Sequence, residues 1–187
     1  MQNKKYRIDY TQKIEEFGRT LYRIVALADF GSVTTGDQGG YIESEKNLSQ
    51  SGNAWVSGNA RVCGNAIVSG NARVSDNARV SDNARVSGNA WVSDNARVCG
   101  NAEVSDNAEV YDNAKVAKLC ITVRTSKYYC TISDTHIAIG CRNYTFSEWE
   151  NFTKEEISKM DTNAWEWWTQ WKPILFEILK VENKVKT

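Results

Sequence analysis

The sequence predicts a mainly β protein built around a left-handed parallel β-helix of triangular coils. Three observations predict it. From Asn53 to Val116 the hexapeptide N-A-x-V-[SC]-[GD] recurs eleven times without an insertion, with Tyr111 in place of Ser or Cys in the tenth copy. Ala and Val stand two residues apart in every copy and so share one face of an extended segment. Gly or Asp followed by Asn closes each copy, and these residues tolerate the left-handed backbone of a tight corner. Internal periodicity this short is the mark of a β-helix. Each hexapeptide then supplies one wall and one corner. Three of them close a coil, and coils stack about 4.8 Å apart through backbone hydrogen bonds. A β-sandwich would vary its strand lengths and turns, and a coiled coil would need a period of seven without recurrent Gly and Asn.

The narrow interior is expected to take Ala and Val, with no room for a large residue at the Ala positions. The repeat extends upstream in degenerate form. Ile42 and Leu48 lie twelve and six residues before Ala54, in the Ala register. Further upstream, Lys5 to Tyr10 and Thr20 to Phe30 have strand character, with Phe17-Gly18 between them, and read as a hairpin over the N-terminal end. Gly36 to Gly40 is a turn into the first coil.

After Val116 the pattern changes. Lys118 to Arg124, Tyr128 to Ser133 and His136 to Cys141 read as three strands. Ser147 with Glu150, Thr153 with Glu156 and Asn163 with Glu166 have capping-box spacing, which predicts two helices near 147–160 and 163–181. Pro173 is expected to kink or restart the second. Ala164, Trp168, Trp171, Leu175 and Ile178 form its apolar stripe, read as packing the helices onto the last coil. Trp165 and Trp167 lie off the stripe. The four tryptophans Trp165, Trp167, Trp168 and Trp171 are candidates for a subunit or partner interface. The organisation is thus a hairpin cap over 1–40, a β-helix over 41–117 and an α+β cap or oligomerisation segment over 118–187.

Residues eighteen apart should stack, which sorts the outward x positions into three columns. Wall one carries Trp55, Arg73, Trp91 and Glu109. Wall two carries Arg61, Arg79, Arg97 and Lys115. Wall three carries Ile67, Arg85 and Glu103. Four stacked cations repel one another unless anions lie near. Corner residues Asp76, Asp82, Asp94, Asp106 and Asp112 can supply them, and over 53–116 six cations meet seven anions. That balance favours a solvated, self-neutralised surface. The alternative is a ligand site in which Arg61, Arg79, Arg97, Lys115, Arg73 and Arg85 grip phosphates or carboxylates. Trp55 and Trp91 would then stack on a ring.

Composition narrows the function classes. Lys plus Arg and Asp plus Glu both number 23, so net charge does not point to nucleic acid. The five cysteines form no C-x-x-C pair and read as free thiols of a reducing compartment. No apolar run reaches membrane-spanning length, so a cytoplasmic protein without membrane contact is expected. The one histidine, His136, lies outside the repeats. Neither a nucleophile-base pair nor a phosphate-binding glycine loop nor a metal-ligand cluster can be proposed from spacing. No catalytic residue, metal or cofactor is therefore assigned.

The pairs Val56 to Ala60 and Val62 to Ala66 resemble the consensus of the hexapeptide-repeat, trimeric acyltransferase-like superfamily. That resemblance implies a homo-oligomer, with a trimer favoured. The acyl-transfer activity does not carry over, since members use a coil histidine and this chain has none. Leu21 to Leu27, Gly36 to Glu43 and Asn47 to Ser49 resemble an uncharacterised hexapeptide-repeat family of bacteria and bacteriophages. Thr135 to Cys141 and Glu148 to Thr153 resemble its phage versions. This resemblance implies an accessory protein of the host cytoplasm that counters host defence. It would sequester an anionic ligand such as a nucleotide immune signal, or block a host defence protein. Two other classes stay open: an acyltransferase relative with His136 as its only candidate base, and a structural or assembly protein.

Overall fold

The computed structural model describes residues 4–16, 18–118, 120–182 and 184–185. The chain divides into two units, 1–143 and 144–187. In the first, β1 (Tyr6–Glu16), β2 (Arg19–Ala26) and β3 (Gln38–Ile42) precede eleven two-residue strands, β4 to β14. These lie at Trp55–Val56, Arg61–Val62, Ile67–Val68, Arg73–Val74, Arg79–Val80, Arg85–Val86, Trp91–Val92, Arg97–Val98, Glu103–Val104, Glu109–Val110 and Lys115–Val116. They pair in parallel with strict eighteen-residue register and form three walls. Wall one is β4-β7-β10-β13, wall two is β5-β8-β11-β14 and wall three is β6-β9-β12. The chain is a β-solenoid, as the period predicts.

One hydrogen-bond rule generates the stack. The N–H groups of the x residue and of the Ser or Cys two positions on donate to the carbonyl seventeen positions on, from Trp55 N to Ala72 O at 3.0 Å through Cys99 N to Val116 O at 2.9 Å. All eleven Ala and all eleven Val of the repeat lie inside, none more than 2 % exposed. Burying a Val side chain contributes roughly 1.5 kcal/mol or more, so the Ala-Val interior is the main apolar stabilisation of this unit. At the corners the Gly or Asp position takes positive φ, 61° at Gly58 and 60° at Asp76. The Asp side chains have a second task there. Asp82 Oδ2 accepts the Gly100 amide at 3.0 Å, and Asp94 Oδ2 accepts the Asp112 amide at 3.3 Å, one coil on in each case.

The hairpin begins wall two's sheet, in the order β1-β2-β3-β5-β8-β11-β14. Its connection runs through Gly18, with φ of 73°; the expected partner there, Phe17, lies outside the described residues. Regular pairing ends at Ala26, short of the expected Phe30, because Phe30 turns to bridge Val33. Gly40 permits the joint between hairpin and coil, since a Cβ there would lie 2.6 Å from Ala60 O. The first coil departs from the expected register. Ile42 pairs with Val62 and Leu48 with Val68, both twenty residues away. Both residues therefore occupy Val positions rather than Ala positions, and two extra residues before Ala54 absorb the offset.

The two ends of the stack are chemically different. The N-terminal end presents carbonyls and is covered by donors. Asn47 Nδ2 donates to Gly64 O and Ala66 O, and Lys5 Nζ donates to Ala54 O at 2.8 Å. The C-terminal end presents the x-residue amides, which are covered by acceptors, and the Lys115 carbonyl, which takes the Asp134 amide at 3.1 Å. Thr131 Oγ1 takes the Glu109 amide and Thr135 Oγ1 the Lys115 amide, each at 3.1 Å. Asp134 Oδ2 takes the amides of Ala117 and Lys118. These acceptors belong to an antiparallel sheet, β15 (Ile121–Arg124), β16 (Tyr129–Ile132), β17 (His136–Ile139) and β18 (Arg142–Thr145), in that order. Three of its strands fall where the sequence predicts them; Leu119, in the first expected strand, lies outside the described residues.

In the second unit α1 (Phe146–Asn151), α2 (Lys154–Met160) and α3 (Ala164–Val181) follow one another. Thr153 and Glu156 form the expected capping box, but the first helix is capped by Thr145 with Glu148 rather than by Ser147. Asn163 adopts left-handed φ of 56° and its side chain caps nothing, because the turn from Asp161 consumes it. Helix α3 runs unbroken through Pro173. Its buried residues are Ala164, Trp167, Trp168, Leu175 and Leu179. Trp167 is thus a packed residue, stacked on Trp171 at 5.9 Å, and Trp149 packs on Trp168 at 5.0 Å. Trp165 and Trp171 are partly exposed.

Two outcomes follow from this packing. Ala84→Phe forces a ring into the filled interior and lowers stability by about 3 kcal/mol or more, measured by chemical denaturation; a variant that melts like the wild type removes the register. Burial pushes the Lys5 ammonium down to about 8 from an ordinary 10.5. Between those values the unfolded chain holds the proton that the folded chain has released, so stability rises with pH across that window. In Lys5→Met the wild-type excess slope between pH 8 and 10 is absent.

Candidate functional site

The three predicted columns exist in the expected pairings. Trp55 pairs with Arg73, Arg73 with Trp91 and Trp91 with Glu109. Arg61, Arg79, Arg97 and Lys115 follow one another on wall two. Ile67, Arg85 and Glu103 follow on wall three. The structure gathers the first two sets into separate recesses and leaves Arg85 apart on the third wall.

On wall one, Trp55, Arg73 and Trp91 line a cleft of about 240 Å³ with Ser32, Val33, Ser57 and Ser75. Its geometry corrects the reading of Trp55 as an outward residue. Trp55 is only 8 % exposed, because Phe30 and Tyr6 meet its ring edge-on at 5.4 and 6.4 Å. Wall position alone makes x outward, but the hairpin and the loop after it fold back over the first coil. Trp91 remains half exposed, and its Nε1 lies 3.4 Å from Ser75 Oγ. Between the rings Arg73 is exposed and has no acidic partner among the described residues. The cleft therefore offers a guanidinium without an acidic partner among the described residues, an aromatic face and three hydroxyls, of which that of Ser75 already donates to Asp76 Oδ2 at 2.7 Å.

On wall two, the column of cations lines a groove of about 180 Å³ that also includes Glu16, Cys63, Ser81 and Cys99. Glu16 reaches across from the end of β1 and bridges two coils. One carboxylate oxygen pairs with Arg61 Nη1 and the other lies 3.1 Å from Arg79 Nε. The carboxylate is mostly buried. The corner Asp residues, expected to neutralise the column, form no ion pair with it among the described residues; Asp82 and Asp94 accept corner amides one coil on, and Asp76 and Asp106 accept the hydroxyl of the preceding serine. Arg97 and Lys115 have no acidic partner among the described residues.

Glu16, Ser32, Ser57 and Ser75 went unforeseen. The two repeat serines follow Val in the hexapeptide and could have been placed beside the x column. Glu16 and Ser32 lie in non-repeating segments whose docking no local pattern encodes.

Two of the five cysteines are held as inert thiols, and the histidine is engaged. Burial pushes the Cys120 and Cys130 thiols up to about 12, far from thiolate formation at neutral pH. His136 Nδ1 lies 2.8 Å from Thr135 Oγ1, the hydroxyl that caps Lys115. Among the described residues no group of three or more His, Cys, Asp or Glu could hold a metal ion. None of their helices is long and apolar enough to cross a membrane.

Fold and recesses together define a β-helix repeat protein that carries side-chain chemistry on its walls. A family model described as the YdcK beta solenoid repeat matches residues 54–70, 60–76, 68–81 and 78–94. These segments carry the wall-one residues Trp55, Arg73 and Trp91 and the wall-two residues Arg61 and Arg79, and end before Arg97 and Lys115. No curated protein matches the chain.

An x residue that only faces solvent is replaceable at little cost, and the column position alone would make Arg79 one. Its contact with Glu16 changes that. Arg79→Ser leaves a mostly buried carboxylate with Arg61 alone and costs about 1 kcal/mol at neutral pH, whereas Arg97→Ser, with no partner to lose, melts like the wild type.

Proposed function

We propose that the protein is a non-catalytic binding protein that sequesters a planar, anionic small molecule in the cleft of wall one. The observation that carries this reading is Arg73, a guanidinium without an acidic partner among the described residues, held between Trp55 and Trp91. Trp91 supplies a half-exposed ring for stacking, worth roughly 1–3 kcal/mol per base in nucleic-acid binders. Arg73 supplies a charge-assisted donor fork for a phosphate or carboxylate. Ser32, Ser57 and Ser75 supply hydroxyls of the kind that bond a sugar. A nucleotide combines these three features. The resemblance to phage-encoded repeat proteins makes a nucleotide immune signal the ligand of choice. In that setting the protein works in the host cytoplasm as a counter-defence factor, as a homo-oligomer of the kind its superfamily resemblance implies.

Calorimetric titration with a panel of cyclic and ADP-ribose-type nucleotides tests this reading. One member of the panel binds, and Arg73→Glu and Trp91→Ala each weaken it about tenfold or more, equivalent to 1.4 kcal/mol. Absence of heat with every member, or binding that survives both substitutions, overturns it.

A further inference from the structure

We infer that Arg97 and Lys115 form an oxyanion-binding position, the copy two coils further on of the position that Glu16 fills. The argument rests on wall two and is independent of the cleft on wall one.

The solenoid is a translational object. Parallel pairing puts Arg61, Arg79, Arg97 and Lys115 in consecutive register. A shift of two coils carries Arg61 onto Arg97, Arg79 onto Lys115, Val62 onto Val98 and Cys63 onto Cys99. The backbone frame beneath Arg61 and Arg97 is the same, since the same seventeen-residue hydrogen bond recurs in Arg61 N to Ala78 O and Arg97 N to Ala114 O, while Lys115, on the last coil, gives its amide to Thr135 Oγ1. What the frame does with an anion is visible at the first pair. One carboxylate sits between two cations on adjacent coils and gives one oxygen to each. Adjacent coils lie about 4.8 Å apart, a span that a carboxylate or phosphate bridges with two of its oxygens.

The second pair keeps an arginine, has a lysine where the first has Arg79, and has no acid paired with it among the described residues. Arg97 is exposed, Lys115 is exposed, and both line the groove that begins at Glu16. Like charges stacked at one coil spacing repel, and a bridging anion turns that repulsion into two attractions. Glu16 cannot serve both pairs, because its oxygens are spent on Arg61 and Arg79. The occupant is therefore an oxyanion from outside the chain, a phosphate or a carboxylate. A single guanidinium beside an ammonium fits a compact anionic group. The ring-stacking ligand proposed for wall one finds no aromatic side chain among the described residues that line this groove.

Arginine side-chain Nε–H signals, followed by NMR while inorganic phosphate or glutarate is added, test the proposal. Sodium chloride at matched ionic strength serves as the screening control. The expected result is a saturable shift of Arg97 with phosphate, glutarate or both, which also tells the two sources apart. Arg79 stays unmoved in the wild type, and joins Arg97 in Glu16→Gln, where the first position is vacated. Lys115→Gln weakens the Arg97 response about tenfold or more while the thermal transition is unchanged. Two results overturn the proposal: an Arg97 shift no different from that in chloride, or a wild-type Arg79 that responds as strongly as Arg97. Neither bears on Arg73 and Trp91, so failure here and failure of the wall-one reading are separate.

Discussion

The constraint on which everything else rests is the hydrogen bond from the x-residue amide, and from the Ser or Cys amide two positions on, to the carbonyl seventeen residues further along. Once it holds, coils repeat by pure translation along the axis. The interior of each wall must then accept the same side chains again and again, at a fixed width. Val and Ala satisfy that width, and they occupy the inside of all eleven repeats. The same rule gives the stack a direction. The Ala carbonyls face one end and the x-residue amides the other, so the two ends need different caps. Lys5 and Asn47 answer the carbonyls; Thr131, Asp134 and Thr135 answer the amides. A solenoid without such caps would leave ladder groups unpaired, at the cost of lost hydrogen bonds and an adhesive edge.

Because the interior fixes the fold, the outward position is free to carry chemistry. Charge at x scarcely affects coil closure, and its consequences are felt along the column rather than across the coil. This is why a neutral protein can hold four stacked cations. It also explains the division of labour among the acids. Among the corner Asp residues, Asp82 and Asp94 are structural, with an oxygen turned to an amide of the next coil. The acid that meets the cations comes from the hairpin, which is not bound by the repeat.

Period and interior were legible in the sequence, and so were the three columns, since each depends only on residues six or eighteen apart. What was not legible lies where a non-repeating segment meets the stack. Ile42 and Leu48 sit six residues apart as a repeat requires, yet the longer side between Leu48 and Ala54 shifts both into the Val register. Trp55 obeys the outward pattern and is nevertheless buried, because Tyr6 and Phe30 close over it. Trp167 lies off the apolar stripe of α3 and is packed all the same. Periodicity reports the local frame, while burial of an x position depends on a segment remote in sequence. Even the capping of α1 moved two residues, from Ser147 to Thr145, because either hydroxyl has a Glu at the required spacing.

A repeat by itself offers the same surface at every coil, so a distinct site requires that the repetition be broken. In this chain it is broken in two ways. Flanking segments roof particular coils: Ser32 and Val33 stand over Trp55 and Arg73, and Glu16 stands over Arg61 and Arg79. Substitution at x ends the columns unequally. Wall one finishes in Glu109 and wall three in Glu103, whereas wall two alone stays cationic to Lys115. The acids that end walls one and three limit any anion-binding surface there to the earlier coils. Wall two has no such stop. Its cations run on beyond the reach of the one acid that the fold supplies, and the surplus is carried by Arg97 and Lys115, which leaves an attraction for anions that the chain does not itself satisfy.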